Sequence, residues 1–209
     1  MDIGAAVVID ISHHNTVTNW ANLAGSGTKA VVHKATEGTS YRDSTYLERK
    51  AKAKANGILW GSYHFSGGGD VIKQVENYLN YAAPSADELI CLDYEPSYNG
   101  INMTLDGMIL FVSEIRKALG RYPLIYGGSL LRETTNGSDS AILKACPLWY
   151  ARYNSMPVGV PDLWDRWTLW QFNDGNAGPE PLKTNGVGRC DHDTYNGTAG
   201  ELAANWPLT

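Results

Sequence analysis

Cysteine is scarce. The 209 residues hold Cys91, Cys146 and Cys190, an odd number, scattered and without metal-ligand spacing. No disulfide framework follows from such a set, and buried free thiols are the expectation. Long apolar runs are missing as well: nothing approaches the roughly 18 residues of a membrane-spanning helix, so membrane insertion is not expected. The opening Met1-Asp2-Ile3-Gly4 lacks a basic stretch followed by a long apolar segment, which reads as no signal peptide. Basic clusters are absent too. With 17 Lys and Arg against 22 Asp and Glu, the net charge is −5, which argues against a nucleic-acid partner. What is present is ordinary in bulk, 43% apolar and 19% charged, but rich in Gly (22), Tyr (12) and Trp (7). The glycines imply many tight connections, and exposed Trp and Tyr make good platforms for sugar rings or interfaces.

Apolar runs and helical stretches alternate through the first two-thirds. Strands are expected at Ala5–Ile11, Ala30–Ala35, Leu59–Phe65, Leu89–Glu95 and Leu124–Tyr126, with a polar loop around His13–Asn22. Helices are expected at Ser44–Asn56, from the N-cap Asp70 through Tyr81, and from Thr104 or Asp106 to Leu119-Gly120. Leu148–Ala151 and Thr168–Phe172 read as further strands, and Gly188–Asp191 as a weak last one. Pro and Gly between these leave little room for full helices. Alternating strand and helix argues for a parallel sheet with helices outside. Eight candidate strands favour a closed barrel, regular in its first half and incomplete in its second. No linker or internal repeat is seen, so residues 1–209 are expected to form a single domain.

Leu89-Ile90-Cys91-Leu92-Asp93-Tyr94-Glu95-Pro96 is the most informative stretch. Strand side chains alternate, which puts Asp93 and Glu95 on one face, roughly 6.5–7 Å apart along the chain. Desolvation and mutual repulsion push at least one of two such carboxyls toward its protonated form. Reactions that need one acid and one anion use that arrangement, glycosidic cleavage above all. A strand end with two solvated acids is the plain alternative. The other strand ends bear on the choice, because a parallel barrel gathers its carboxyl ends on one face. They deliver Asp10; His33 or Lys34, with Glu37 just beyond; Tyr63-His64; Tyr126; Tyr150 and Arg152; Gln171; and Asp191 with Asp193. Together they predict a polar pocket ringed by carboxylates. Within it, His64 could instead be a hydrogen-bonded packing residue. Arg152 could be a counter-ion that keeps neighbouring acids charged, and Gln171 could be structural. Asp191-His192-Asp193 and His13-His14 look like metal ligands but lack the His-x-x-x-His or Cys-x-x-Cys spacing, so no metal and no cofactor are expected. Without a Gly-x-Ser-x-Gly elbow, Ser-His-Asp chemistry is a weak reading.

The chain resembles the lysozymes of glycoside hydrolase family 25 along nearly its whole length. The resemblance runs through Asp10-Ile11-Ser12, Lys34-Ala35-Thr36-Glu37-Gly38, Gly61-Ser62-Tyr63-His64-Phe65 and Leu92-Asp93-Tyr94-Glu95. It continues through Pro123-Leu124-Ile125-Tyr126, Leu148-Trp149-Tyr150-Ala151-Arg152-Tyr153, Trp167-Thr168-Leu169-Trp170-Gln171-Phe172 and Cys190-Asp191. It implies an α/β fold, an irregular TIM-like barrel of about eight strands with about five helices, (β/α)5(β)3. It also implies hydrolysis of the β-1,4 bond between N-acetylmuramic acid and N-acetylglucosamine in peptidoglycan. By position it carries over Asp10, Asp93, Glu95 and Asp191 as the catalytic acids. Asn15 and Asp193 depart from the pattern, standing where the family often has Gln and Asn. The second change leaves open how Asp191 and Asp193 divide one role.

These readings combine into a mechanism, with Glu95 as general acid. Its partner could be a carboxylate nucleophile, an inverting base, or the substrate's own 2-acetamido group oriented by Asp93; the last is favoured. The substrate-binding set is Glu37, Tyr63, His64, Tyr126, Trp149, Arg152, Tyr153, Gln171 and Asp193, in which Tyr63, Tyr126, Trp149 and Tyr153 supply ring faces and hydroxyls. The expected partner is the peptidoglycan glycan strand, met by a monomer. The missing signal sequence fits a phage lysin made in the host cytoplasm and acting on the wall after release. The rivals are a wall hydrolase of another bond specificity and a non-catalytic peptidoglycan-binding module.

Overall fold

The computed structural model describes residues 7–209. In chain order the elements begin β1 (Val8–Ile11), α1 (Trp20–Gly25), β2 (Ala30–Glu37), β3 (Tyr41–Arg42), α2 (Tyr46–Ala55), β4 (Leu59–Phe65), α3 (Val71–Ala82) and β5 (Leu89–Asp93). They continue with α4 (Leu105–Leu119), β6 (Leu124–Gly127), α5 (Ser129–Thr135), α6 (Ala141–Lys144) and β7 (Leu148–Ala151). The last are β8 (Leu169–Asn173), β9 (Lys183–Thr184), β10 (Gly188–Arg189), β11 (Asp191–Tyr195) and α7 (Ala199–Asn205).

Local chemistry sets the helix ends. Asp70 accepts the Lys73 amide at 3.1 Å and starts α3. Thr104, rather than Asp106, caps α4 by accepting the Gly107 amide at 3.1 Å. Gly120, at φ 72°, ends α4 in a left-handed turn that a Cβ would strain.

Eight strands close into a barrel in the order β1-β11-β8-β7-β6-β5-β4-β2, with β2 pairing back on β1 and β3 folded against the end of β2. The period of two divides each strand between two cores. Val8, Val32, Leu89, Cys91, Leu124, Trp149 and Leu169 fill the barrel, and Leu202 of α7 belongs to the same cluster. Ile9, Val31, Trp60, Ile90, Leu92 and Ile125 face outward, in one cluster with Tyr78 of α3 and Phe111 of α4. The three cysteines are buried free thiols.

The element order follows (β/α)5(β)3: five strand–helix units precede β7, β8 and β11, which close the barrel. Of the seven helices among the described residues, α1, α5 and α6 span only six, seven and four residues, too few for apolar periodicity to show. Two expectations need correction. The barrel is not wholly parallel, because β11 runs antiparallel to both β1 and β8. Between β8 and β11 lie only a loop and the small β9–β10 ribbon, with no crossover helix, so the chain returns as a reversed strand. The weak strand expected at Gly188–Asp191 is really two: β10 belongs to the ribbon, and β11 starts at Asp191. Ala5 and Ala6 of the expected first strand lie outside the described residues; β1 begins at Val8.

Candidate active site

Four carboxylates converge at one end of the barrel. β5 carries Leu89, Cys91 and Asp93 inward in alternation, and the same alternation continues past its end to Glu95. Across the barrel Asp10 lies one residue before the end of β1, and Asp191 opens β11 directly opposite it in the ladder. The reversed direction of β11 explains that pairing. Its amino end lies where the other strands have their carboxyl ends, so Asp191 joins the rim from the start of a strand. The four acids line one cavity of about 150 Å³ together with Tyr63, Tyr126, Trp149 and Tyr153.

Hydrogen bonds hold this floor. Gln171 donates to Asp10 Oδ2 at 2.7 Å, and its Oε1 accepts from the Tyr126 hydroxyl at 2.8 Å, tying β1 to β6 through β8. Beneath them Asp193 is fully buried and accepts the Trp149 indole N–H at 2.7 Å, which fixes the ring that lines the cavity. Among the described residues, two fully buried carboxylate oxygens have no hydrogen-bond partner, Asp93 Oδ1 and Asp193 Oδ2.

Electrostatics follow from burial among like charges. Burial holds Asp93 well above the usual carboxylate range, reinforced by Glu95 and opposed by Lys34. It raises Glu95 too, against the neighbouring Tyr126 hydroxyl and the charge of Lys34. Asp10 is raised by burial and then by Asp193. Asp191 is pushed up to about 9, by burial first and then by Asp10. The cavity can therefore donate a proton and stabilise positive charge on a bound group. Lys34 is its one lysine or arginine, with its ammonium 4.6 Å from the Phe65 ring centroid.

Of the residues singled out by sequence, Asp10, Asp93, Glu95, Asp191, Tyr63, Tyr126, Trp149 and Tyr153 share the cavity. Five others do not line it. His64 is a correction: it alternates with Tyr63, points away from the barrel interior and stacks on Phe111 of α4 at 5.2 Å. Thr36 and Gln74 satisfy its two ring nitrogens at 2.8 and 3.2 Å, so it is the packing residue of the alternative reading. Gln171 and Asp193 lie behind the cavity wall as supports. Glu37 pairs with Lys34 outside the cavity. Arg152 borders a separate groove and forms no ion pair among the described residues, so it is not the acids' counter-ion.

Strand alternation also settles the choice at the end of β2. His33 faces outward and stacks on Trp60 at 5.6 Å, whereas Lys34 faces the acids. Ser12, His14, Phe65 and Tyr98 line the cavity without having been anticipated. Phe65 was findable, two residues after Tyr63 on the same face. Tyr98 is 78% exposed and stacks on Phe65 at 5.5 Å, an arrangement no local pattern announces.

Asp193 yields a stability prediction. Burial raises it well above the usual carboxylate range, while Trp149 and Asp10 act to lower it. In the unfolded chain it ionises near pH 3.9. Its stabilising contribution is thus complete below that pH and is lost as pH rises toward the folded-state value. Asn keeps the acceptor for Trp149 and offers Asp10 a permanent donor. Asp193→Asn is expected to leave Tm nearly unchanged at pH 4 and to raise it by about 3 °C, roughly 1 kcal/mol, at pH 8. Calorimetry at the two pH values checks this; an equal shift at both would contradict it.

Comparison with known proteins gives a consistent picture. The family model for glycosyl hydrolases family 25 matches residues 9–180. An N,O-diacetylmuramidase of Chalaropsis sp is 28% identical over 196 residues, covering 80% of this chain and 88% of that protein. The structure of a muramidase from Trichobolus zukalii superimposes with a TM-score of 0.79 at 30% identity, covering 96% of this chain and 98% of that one. A bacterial lysozyme from Streptomyces coelicolor does so with a TM-score of 0.81 at 26% identity, covering 94% of each chain.

Proposed function

The chain belongs to glycosyl hydrolases family 25 and is a glycosidase, and from that premise we propose that it is a muramidase, cutting peptidoglycan between N-acetylmuramic acid and N-acetylglucosamine. One observation carries the reading. Asp93 and Glu95, from one strand end, face Asp10 and Asp191 in a single cavity, and Asp93 Oδ1 is left without a partner.

Glu95 is the general acid. Burial raises its carboxyl above the usual range and so favours the protonated form, which gives its proton to the glycosidic oxygen as the bond breaks. As that oxygen leaves, positive charge grows at the anomeric carbon. The carbonyl oxygen of the substrate's 2-acetamido group attacks there, closing an oxazolinium ring that water later opens. Asp93 takes the amide N–H on its unpartnered oxygen, orients the attack and offsets the ring's charge. Asp10 and Asp191 face the ring from across the cavity, and the charge of Lys34 favours the ionised form of Asp93. Trp149, held by Asp193, and Tyr63, Tyr126 and Tyr153 receive the sugar ring. Residues 1–209 act as one catalytic unit.

The test uses purified peptidoglycan and the intact chain. New reducing ends should appear without new amino termini, and a strong chelator should not slow them. Amino termini without reducing ends would mean an amidase, and neither product would mean a module that binds without cutting.

A further inference from the structure

Glu95 and Tyr153 border a second cavity as well as the first. It is an open groove of about 320 Å³ on the far side of Glu95, walled by Pro96, Ser129, Leu130 and Arg152. A proton donor that touches two cavities lies over the bond that breaks, because it must reach the oxygen joining the two sugars. Charge then tells the sides apart. The ring that becomes cationic belongs with Asp10, Asp93 and Asp191. The leaving portion of the strand must cross the groove.

Besides Glu95, the only charged group lining that groove is Arg152. Its carbonyl accepts from the Trp170 indole at 2.8 Å, but its guanidinium is exposed and has no ion-pair partner among the described residues. Arg132 stands close by, and both guanidiniums act on the Tyr150 hydroxyl, which is anchored to the carbonyls of Val158 and Gly159 at 3.1 and 2.7 Å. On a chain of net charge −5, an exposed, unpaired arginine lining the groove, with Arg132 nearby at Tyr150, makes that wall anion-accepting.

We propose that the groove receives an anionic substituent of the leaving strand, a free carboxylate of the glycan-linked peptide, with Arg152 as its direct partner and Arg132 reinforcing the local field. This rests on the wall-hydrolase reading above. A guanidinium suits a carboxylate because its planar fork can donate two parallel hydrogen bonds. The sugar next to the cut bond on the leaving side is N-acetylglucosamine, which is neutral. The carboxylate therefore comes from the peptide on the sugar after it, and the arginine grades strands by whether that peptide is charged.

The experiment uses uncrosslinked peptidoglycan strands freed of phosphate-bearing polymers. They are compared with the same strands after their carboxylates are capped with carbodiimide and methylamine. Wild type should lose about tenfold in kcat/KM on the capped strands, through KM. Arg152→Gln should be about tenfold slower than wild type on native strands and the same on both substrates within twofold, and Arg152→Lys should keep part of the preference. Wild type cleaving both strands equally, or Arg152→Gln preferring native strands as strongly as wild type, would overturn this inference alone. If wild type cut neither strand, the hydrolase reading would fall and this inference with it.

Discussion

Glu95→Gln is expected to fold as the parent chain does and to hydrolyse peptidoglycan about 10³-fold more slowly. The loss corresponds to about 4 kcal/mol of transition-state stabilisation. The amide is nearly isosteric, but it has no acidic proton to give. Glu95 stands beside Asp93, whose carboxyl is raised by burial and then by Glu95. Removing one acid relieves that repulsion, so Tm at pH 8 should be equal or higher, the usual exchange of stability for function at such sites. Turnover and thermal unfolding measured on the same preparation check both halves. Near-normal turnover would remove Glu95 from its role, and a large drop in Tm would turn the result into a folding defect.

Asp93→Asn is expected to lower kcat by about 10² to 10³-fold with a smaller change in KM, because its interaction strengthens only as the acetamido group becomes charged. The structural ground is the partnerless oxygen Asp93 Oδ1 in a buried carboxylate, an arrangement that costs free energy unless an incoming donor uses it. The substrate can be altered to match. On N-deacetylated strands the attacking group is gone, so wild type should be slowed severely and Asp93→Asn should add little further loss. Wild type cutting deacetylated strands at its ordinary rate would make Asp93 the attacking nucleophile instead.

Both residues were legible because they share a strand. Period-two alternation puts Asp93 and Glu95 on one face whatever the rest of the fold does, and the same reasoning found Asp10 near the end of β1. Asp191 is legible as a residue but not in its geometry. A parallel barrel would put it at the end of a strand, whereas it begins an antiparallel one, and nothing local encodes strand direction once the crossover helices stop. The faces of His33, Lys34, Tyr63 and His64 follow from alternation only when the register is anchored. Once Tyr63 is inside, His64 must be outside, and its burial against Phe111 follows. Tyr98 and the ring of Phe65 meet across a loop, and Arg152, just past the end of β7, lines the groove beside the acid cavity rather than the cavity itself. Such placements depend on tertiary packing and leave no trace in spacing. The short helices α5 and α6 escaped for a different reason: one or two turns cannot display an amphipathic repeat.

Which sugar carries the new reducing end tests the central claim most directly. A peptidoglycan digest reduced with borohydride and analysed by mass spectrometry should contain N-acetylmuramitol at the cut ends, and that product should vanish with Glu95→Gln. Cut ends bearing reduced N-acetylglucosamine would contradict the muramidase reading.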